Sequence, residues 1–206
     1  MMSKENKSRY AVLGALTYAP MSGYDLKKFM QGSTNHFWTE NYAQIYPMLK
    51  QLTQEGLTVS HTERQEGRPE RHVYVLTEKG WEQLRRWLAE PAERQVERNE
   101  LLLKLFFGRR VPVATNSEHM QRYRGLIADS LQQFEGIEAT IQTQYAENPE
   151  LPYWLITLNY GKHISQALLH WCDETISVLQ HLSEAEKAET TRFTENTIQV
   201  HGNDLR

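Results

Sequence analysis

Between Ser8 and Leu88 the spacing of the apolar residues changes from helical to alternating and back, and this constrains the fold more than any other feature. Tyr10, Leu13 and Leu16 recur at helical spacing from Ser8 to Tyr18, and Pro20 ends that segment. Ser22 then offers an N-cap hydroxyl to a second helix through Leu26, Phe29 and Met30, which Gly32 stops. Thr39 can cap a third, carrying Tyr42, Ile45, Tyr46, Leu49 and Leu52, with Gly56 as its C′ glycine. Pro47 falls inside this stretch, where a proline removes a hydrogen bond and can kink the helix. Leu57 to His61 alternates apolar with polar, Glu63 to Arg71 is a charged turn holding Gly67 and Pro69, and His72 to Leu76 alternates again. Thr77 caps a fourth helix with Trp81, Leu84, Trp87 and Leu88.

Three short helices, a two-stranded hairpin and a closing helix follow the winged-helix plan, in which the third helix enters the major groove and the hairpin reaches along the DNA backbone. Beyond Pro91, Val96 to Phe107 is an apolar-rich helical stretch ending at Gly108 and Pro112. Two long helical patterns follow, one using Tyr123, Ile127, Leu131, Phe134, Ile137, Ile141 and Tyr145, the other Leu155, Leu158, Ile164, Leu168, Trp171, Leu179 and Leu182. Asn148 to Pro152 is the turn between them. The fold class expected is mainly α with a small β-hairpin: a winged helix-turn-helix domain over 1–90, an α-helical dimerisation domain over 91–185, and a polar tail over 186–206, read as a frayed helix or disordered.

The net charge of −3 divides unevenly: residues 1–90 carry +2 and residues 91–206 carry −5. DNA affinity depends on local clusters of cations that displace counterions from phosphate, so the whole-chain sign does not exclude it. A single cysteine, Cys172, excludes an intramolecular disulfide and multi-cysteine metal sites. With no long apolar run and no apolar segment behind the charged N-terminus, a cytoplasmic protein without a membrane partner is expected. Glycine-rich phosphate loops, nucleophile elbows and metal-ligand spacings are missing, so no catalytic residue, cofactor or metal is assigned and the chain does not read as an enzyme.

The residues also resemble a known family. Leu13-Gly14-Ala15-Leu16, Ser22-Gly23-Tyr24-Asp25-Leu26, and Ile45-Tyr46-Pro47-Met48-Leu49-Lys50-Gln51-Leu52 followed by Glu55-Gly56-Leu57 are similar to the PadR family of regulators. Gly67-Arg68-Pro69-Glu70-Arg71-His72-Val73-Tyr74 and Leu76-Thr77-Glu78-Lys79-Gly80 resemble that family's wing and the helix after it. Leu102 to Gly108 and Ala167 to Glu174 resemble its longer-tailed members. The resemblance covers residues 8 to 182 and implies a homodimer, repression as the commonest activity, and release from DNA by a small effector. It also implies a recognition helix running through Pro47.

On the third helix Ile45, Leu49 and Leu52 share the core face, while Asn41, Gln44, Lys50 and Gln51 fall away from it. Asn and Gln can pair bidentately with adenine, and Lys can take guanine or phosphate. For each residue alone a solvated helix face is the competing reading; as a set on this helix, DNA contact is favoured. Tyr24 and Tyr46 are candidate phosphate donors or core-edge covers. Arg68 and Arg71 are candidate phosphate contacts from the wing, diluted by Glu66 and Glu70, and Arg64 is a weaker one. The expected partners are double-stranded operator DNA carrying an inverted repeat, a second copy of the chain, and a small aromatic or apolar effector, for which Trp154, His163 and Trp171 are the candidate residues. An aromatic stripe at helical spacing more often packs than lines a pocket. The alternative is a winged helix serving protein interaction or activation without its own effector. Cys172, beside Trp171, Asp173 and Glu174, reads as an inert buried thiol.

Overall fold

The computed structural model describes residues 6–38, 42–63, 70–93 and 98–203, with side chains through 186 and without that of Tyr42. The chain divides into two compact units, Met1–Gln95 and Val96–Arg206. In the first, α1 spans Ser8–Ala15, α2 Gly23–Gly32, α3 Ile45–Gln54 and α4 Glu78–Ala89. Leu13, Leu26, Leu49 and Leu52 are fully buried and join one core. Removing this much apolar surface from water holds three short helices together, none of which is long enough to be stable alone.

Local chemistry sets the ends of these helices. The Ser22 hydroxyl accepts from the Asp25 amide while the Asp25 carboxylate accepts from the Ser22 amide, a full capping box at the start of α2. At the end of α3 the Leu57 amide donates to the Leu52 carbonyl and the Gly56 amide to that of Thr53. Gly56 has a φ of +73°, the left-handed geometry that this Schellman closure requires. The Thr77 hydroxyl accepts from the Gly80 amide and caps α4.

The third helix differs from the expected one at its start. It begins at Ile45, preceded by a 3-10 turn at Tyr42–Gln44, and the expected Thr39 cap lies outside the described residues. Pro47 is therefore in the first turn, where an amide would have no intrahelical acceptor, so it breaks no hydrogen bond and introduces no kink.

The sheet also has one strand more than expected. Met21–Ser22 (β1) pairs with Arg71–Leu76 (β3), which pairs in turn with Thr58–Glu63 (β2), giving the antiparallel order β1-β3-β2. The register sets Ser22 opposite Val73 and His61 opposite the same residue on the other side. The base of the wing is thus anchored to the residue that caps α2. Two residues carry too little periodicity to be read as a strand from sequence.

In the second unit α5 spans Glu100–Phe106, with the Asn99 side chain capping it, and a 3-10 turn at Gly108–Arg110 follows. Two long helices, α6 (Val113–Gln144) and α7 (Leu151–Asn203), run antiparallel across the short turn at Asn148. Tyr123 meets Trp171, Arg124 pairs with Asp173, Glu138 with Lys162, and Tyr145 meets Trp154. Leu158, Ser165, Cys172 and Leu179, seven apart, form the buried stripe of α7. The expected seam mixed this stripe with another: Leu168 is half-buried, whereas Ile164 and Leu182 are exposed. The backbone stays helical through the expected polar tail as far as Asn203. Among the described residues no helix is long and apolar enough to cross a membrane.

Candidate nucleic-acid interface

The buried residues of α3 (Ile45, Met48, Leu49 and Leu52) leave Gln44, Tyr46, Pro47, Lys50, Gln51 and Gln54 on a continuous exposed face. Gln44 sits at the N-cap and not within the helix, because α3 starts one residue later. Gln51 is already engaged, its amide donating to Glu55 Oε1 at 2.8 Å. That leaves Gln44, Tyr46 and Lys50 of the expected set along this face. Asn41 and Arg68 lie outside the described residues, as does Arg64.

Two tyrosines, one on α2 and one on α3, are exposed. Tyr46 is 61% exposed and Tyr24, the second residue of α2, is 68% exposed. Neither serves mainly to fill the core, and a phenol that keeps its hydroxyl in water is available as a donor. The Tyr46 ring packs against Gly23, so close that a Cβ at that position would lie 2.6 Å from Cε1. The Tyr46 ring therefore packs on the residue that precedes Tyr24 at the start of α2, a proximity that their separation in sequence conceals.

Arg71, at the first position of β3, is held by carboxylates on both sides. Its Nε and Nη2 donate to Glu63 Oε2 at 2.9 and 2.8 Å, and Nη1 donates to Asp25 Oδ2 at 3.3 Å. The same Asp25 oxygen accepts from the Ser22 hydroxyl at 2.7 Å. Hydrogen bonding to Ser22, with Arg71 nearby, holds the Asp25 carboxyl below its ordinary range, and the Arg71 hydrogen bond does the same for Glu63. Asp25 and Glu63 are not recognisable from sequence as partners of Arg71. The Ser22-x-x-Asp25 spacing betrays the cap, but nothing local betrays the wing arginine that joins it.

The three candidate effector residues are not brought together. Trp154 is half-buried edge-on against Tyr145, Trp171 half-buried edge-on against Tyr123, and His163 exposed between them. All three lie on α7, and nine and then eight residues of helix separate them by about 13 and 12 Å. The second unit instead has a cleft of about 400 Å³ lined by Leu103, Lys104, Phe107, Arg110, Val111, Thr115, Asn116 and His119. Asn116 is buried and donates to the Gly108 carbonyl at 2.9 Å, fixing the 3-10 turn that forms one wall. Cys172 is buried, and desolvation, reinforced by Asp173, raises its thiol pKa, so it does not behave as a reactive thiolate. His170 lies 3.9 Å from Glu174, but no group of three or more metal-ligating side chains occurs among the described residues.

Two family models match successive parts of the chain: the transcriptional regulator PadR-like family over residues 12–86, and the virulence activator alpha C-terminal family over 97–180. The negative transcriptional regulator PadR of Bacillus subtilis is 29% identical over 177 residues, which is 83% of this chain and 96% of that protein. Its crystal structure with operator DNA superposes with a TM-score of 0.74 at 24% identity, covering 84% of this chain and 99% of that one. Its complex with p-coumaric acid gives 0.70 at 23% identity, covering 85% and 99%. These likenesses carry the winged-helix fold and place the chain among regulators, a class that performs no catalysis. The chain thus carries a domain of the PadR-like family of transcriptional regulators over residues 12–86, followed over 97–180 by that of the virulence activator alpha C-terminal family.

Proposed function

We propose that the protein is a cytoplasmic repressor that binds operator DNA as a homodimer, reading bases with α3 and holding phosphates with the wing and the start of α2. The observation that carries this reading is the exposed face of α3, where Gln44, Tyr46 and Lys50 stand clear of the core, with Tyr24 exposed at the start of α2. Gln44, with Asn41 just before it, supplies the bidentate chemistry that adenine edges accept. Lys50, Tyr24, Tyr46, Arg68 and Arg71 supply phosphate contacts that position the reader without specifying sequence. Three of the five N–H groups of Arg71 are committed to carboxylates, which leaves two for a phosphate oxygen.

A second stripe on α7 supports dimerisation. Tyr153, Ile156, Tyr160, Ile164, Val178 and Leu182 are exposed on a face distinct from the one packed on α6. Solvating that much apolar surface is unfavourable, and a two-fold copy covers it with the same residues. Two recognition helices about 34 Å apart then require an inverted repeat.

Selection of duplexes from a random pool, followed by titration, tests the reading. The protein should enrich an inverted repeat, and Gln44→Ala should lose roughly 1–3 kcal/mol at one base position while keeping non-specific affinity. Enrichment of no sequence would instead support a winged helix used for protein contact.

The cleft in the second unit supports a small-molecule effector as a second reading. Leu103, Phe107 and Val111 offer apolar walls, and Lys104 and Arg110 offer cations, a lining suited to an apolar acid such as the p-coumaric acid bound by the Bacillus subtilis protein. Protection of unit 2 from thermal unfolding by such an acid, lost in Phe107→Ala, would be the supporting result.

A further inference from the structure

Gly23 is the first residue of α2 and is buried, yet nothing in its backbone calls for glycine. Its φ is not positive, and the first turn of a helix accepts any residue, alanine better than glycine. What a side chain would meet there is the Tyr46 ring: a Cβ would stand 2.6 Å from Cε1, 2.9 Å from Cζ and 3.1 Å from Cδ1. These are overlaps with the far end of a side chain that is 61% exposed, and not with backbone. Tyr46 can therefore escape them by changing rotamer into water, leaving the core as it is.

We propose that Gly23 is a positioning residue for DNA recognition: its missing side chain is the seat that holds the Tyr46 phenol at the junction of α2 and α3. The inference rests on the reading of the α3 outer face as the DNA interface. A tyrosine free to sample several rotamers loses that freedom on contacting a phosphate, whereas a seated ring is ordered beforehand and binds at lower entropic cost. Gly23 thus acts through Tyr46 and touches no nucleic acid itself.

The test is a double-mutant cycle on full-length protein with a duplex selected by the wild type from a random pool. Tyr46→Ala should weaken binding about tenfold, the loss of one hydrogen bond. Gly23→Ala should lose a comparable factor with an unchanged melting temperature, and the double variant should bind no more weakly than Tyr46→Ala. The double variant also relieves the overlap, so the cycle remains readable if Gly23→Ala alone folds poorly. In the absence of DNA, a ring-current shift of the Gly23 α-protons, lost in Tyr46→Ala, reports the seat directly. Wild-type affinity in Gly23→Ala, or losses that multiply in the double variant, would overturn the proposal. Wild-type affinity in Tyr46→Ala overturns it at the tyrosine, and absence of the ring-current shift overturns it at the glycine. Neither result resembles the failure of the DNA reading itself, in which no duplex is selected at all.

Discussion

Arg71 and Asp25, 46 residues apart, meet at 3.3 Å and fasten the wing to the cap of α2. The Asp25 oxygen that accepts from Arg71 also completes the capping box with Ser22, and Glu63 holds the other side of the guanidinium. Strand β1 repeats the same connection in backbone hydrogen bonds, since Ser22 lies opposite Val73. Helix α2 and the β2–β3 hairpin are therefore coupled by charge as well as by pairing.

Arg71→Ala should lower operator affinity and flatten the plot of log affinity against log salt by about one unit of slope, one phosphate contact fewer. Fluorescence titrations from low to moderate salt measure this. An unchanged slope would confine Arg71 to fastening the wing.

The same network makes the first unit acid-sensitive. The Asp25 and Glu63 carboxyls both lie below their ordinary values of 3.8 and 4.5 when folded, so folding favours their charged forms. That stability is fully present above the unfolded values and is lost as pH falls through the folded ones. Melting temperature should hold from neutral pH to about 5 and then drop, and Asp25→Asn should make the drop shallower. Thermal scans across this range, on both proteins, check the sign.

The two stripes of α7 respond differently to charge. Ile156, 65% exposed, should accept glutamate within the monomer, so Ile156→Glu should give a helical monomer with weakened operator binding. Leu179, buried on the stripe packed against α6, should respond by loss of unit 2 stability. Sedimentation together with circular dichroism separates the outcomes, and an Ile156→Glu protein of dimeric mass would remove this stripe from the interface.

Gly80 provides a contrast to Gly23. A Cβ there would stand 2.2 Å from the Leu57 carbonyl oxygen, which is backbone immediately after the Schellman turn and cannot swing aside. Gly80→Ala should destabilise the first unit by about 1–3 kcal/mol or more, as overpacking does. Urea unfolding of the variant measures the cost.

Short-range chemistry made much of the first unit legible. Ser22 and Thr77 announce helix starts, Gly56 announces an end, and the spacing of Ile45, Leu49 and Leu52 marks the buried face of α3 whichever neighbours cover it. The turn at Asn148 likewise sets α6 antiparallel to α7. The rest required partners far along the chain. Met21 and Ser22 form a strand only because β3 arrives beside them, and Arg71 becomes a fastener only because Asp25 is brought to it. On α7 the apolar residues are enough for two stripes, and spacing alone cannot say which faces α6. Packing decides: the close approach of Gly161 to Phe134, and the pairs Lys162–Glu138 and Arg124–Asp173, turn the Leu158–Leu179 stripe inward and leave Tyr153 to Leu182 in water.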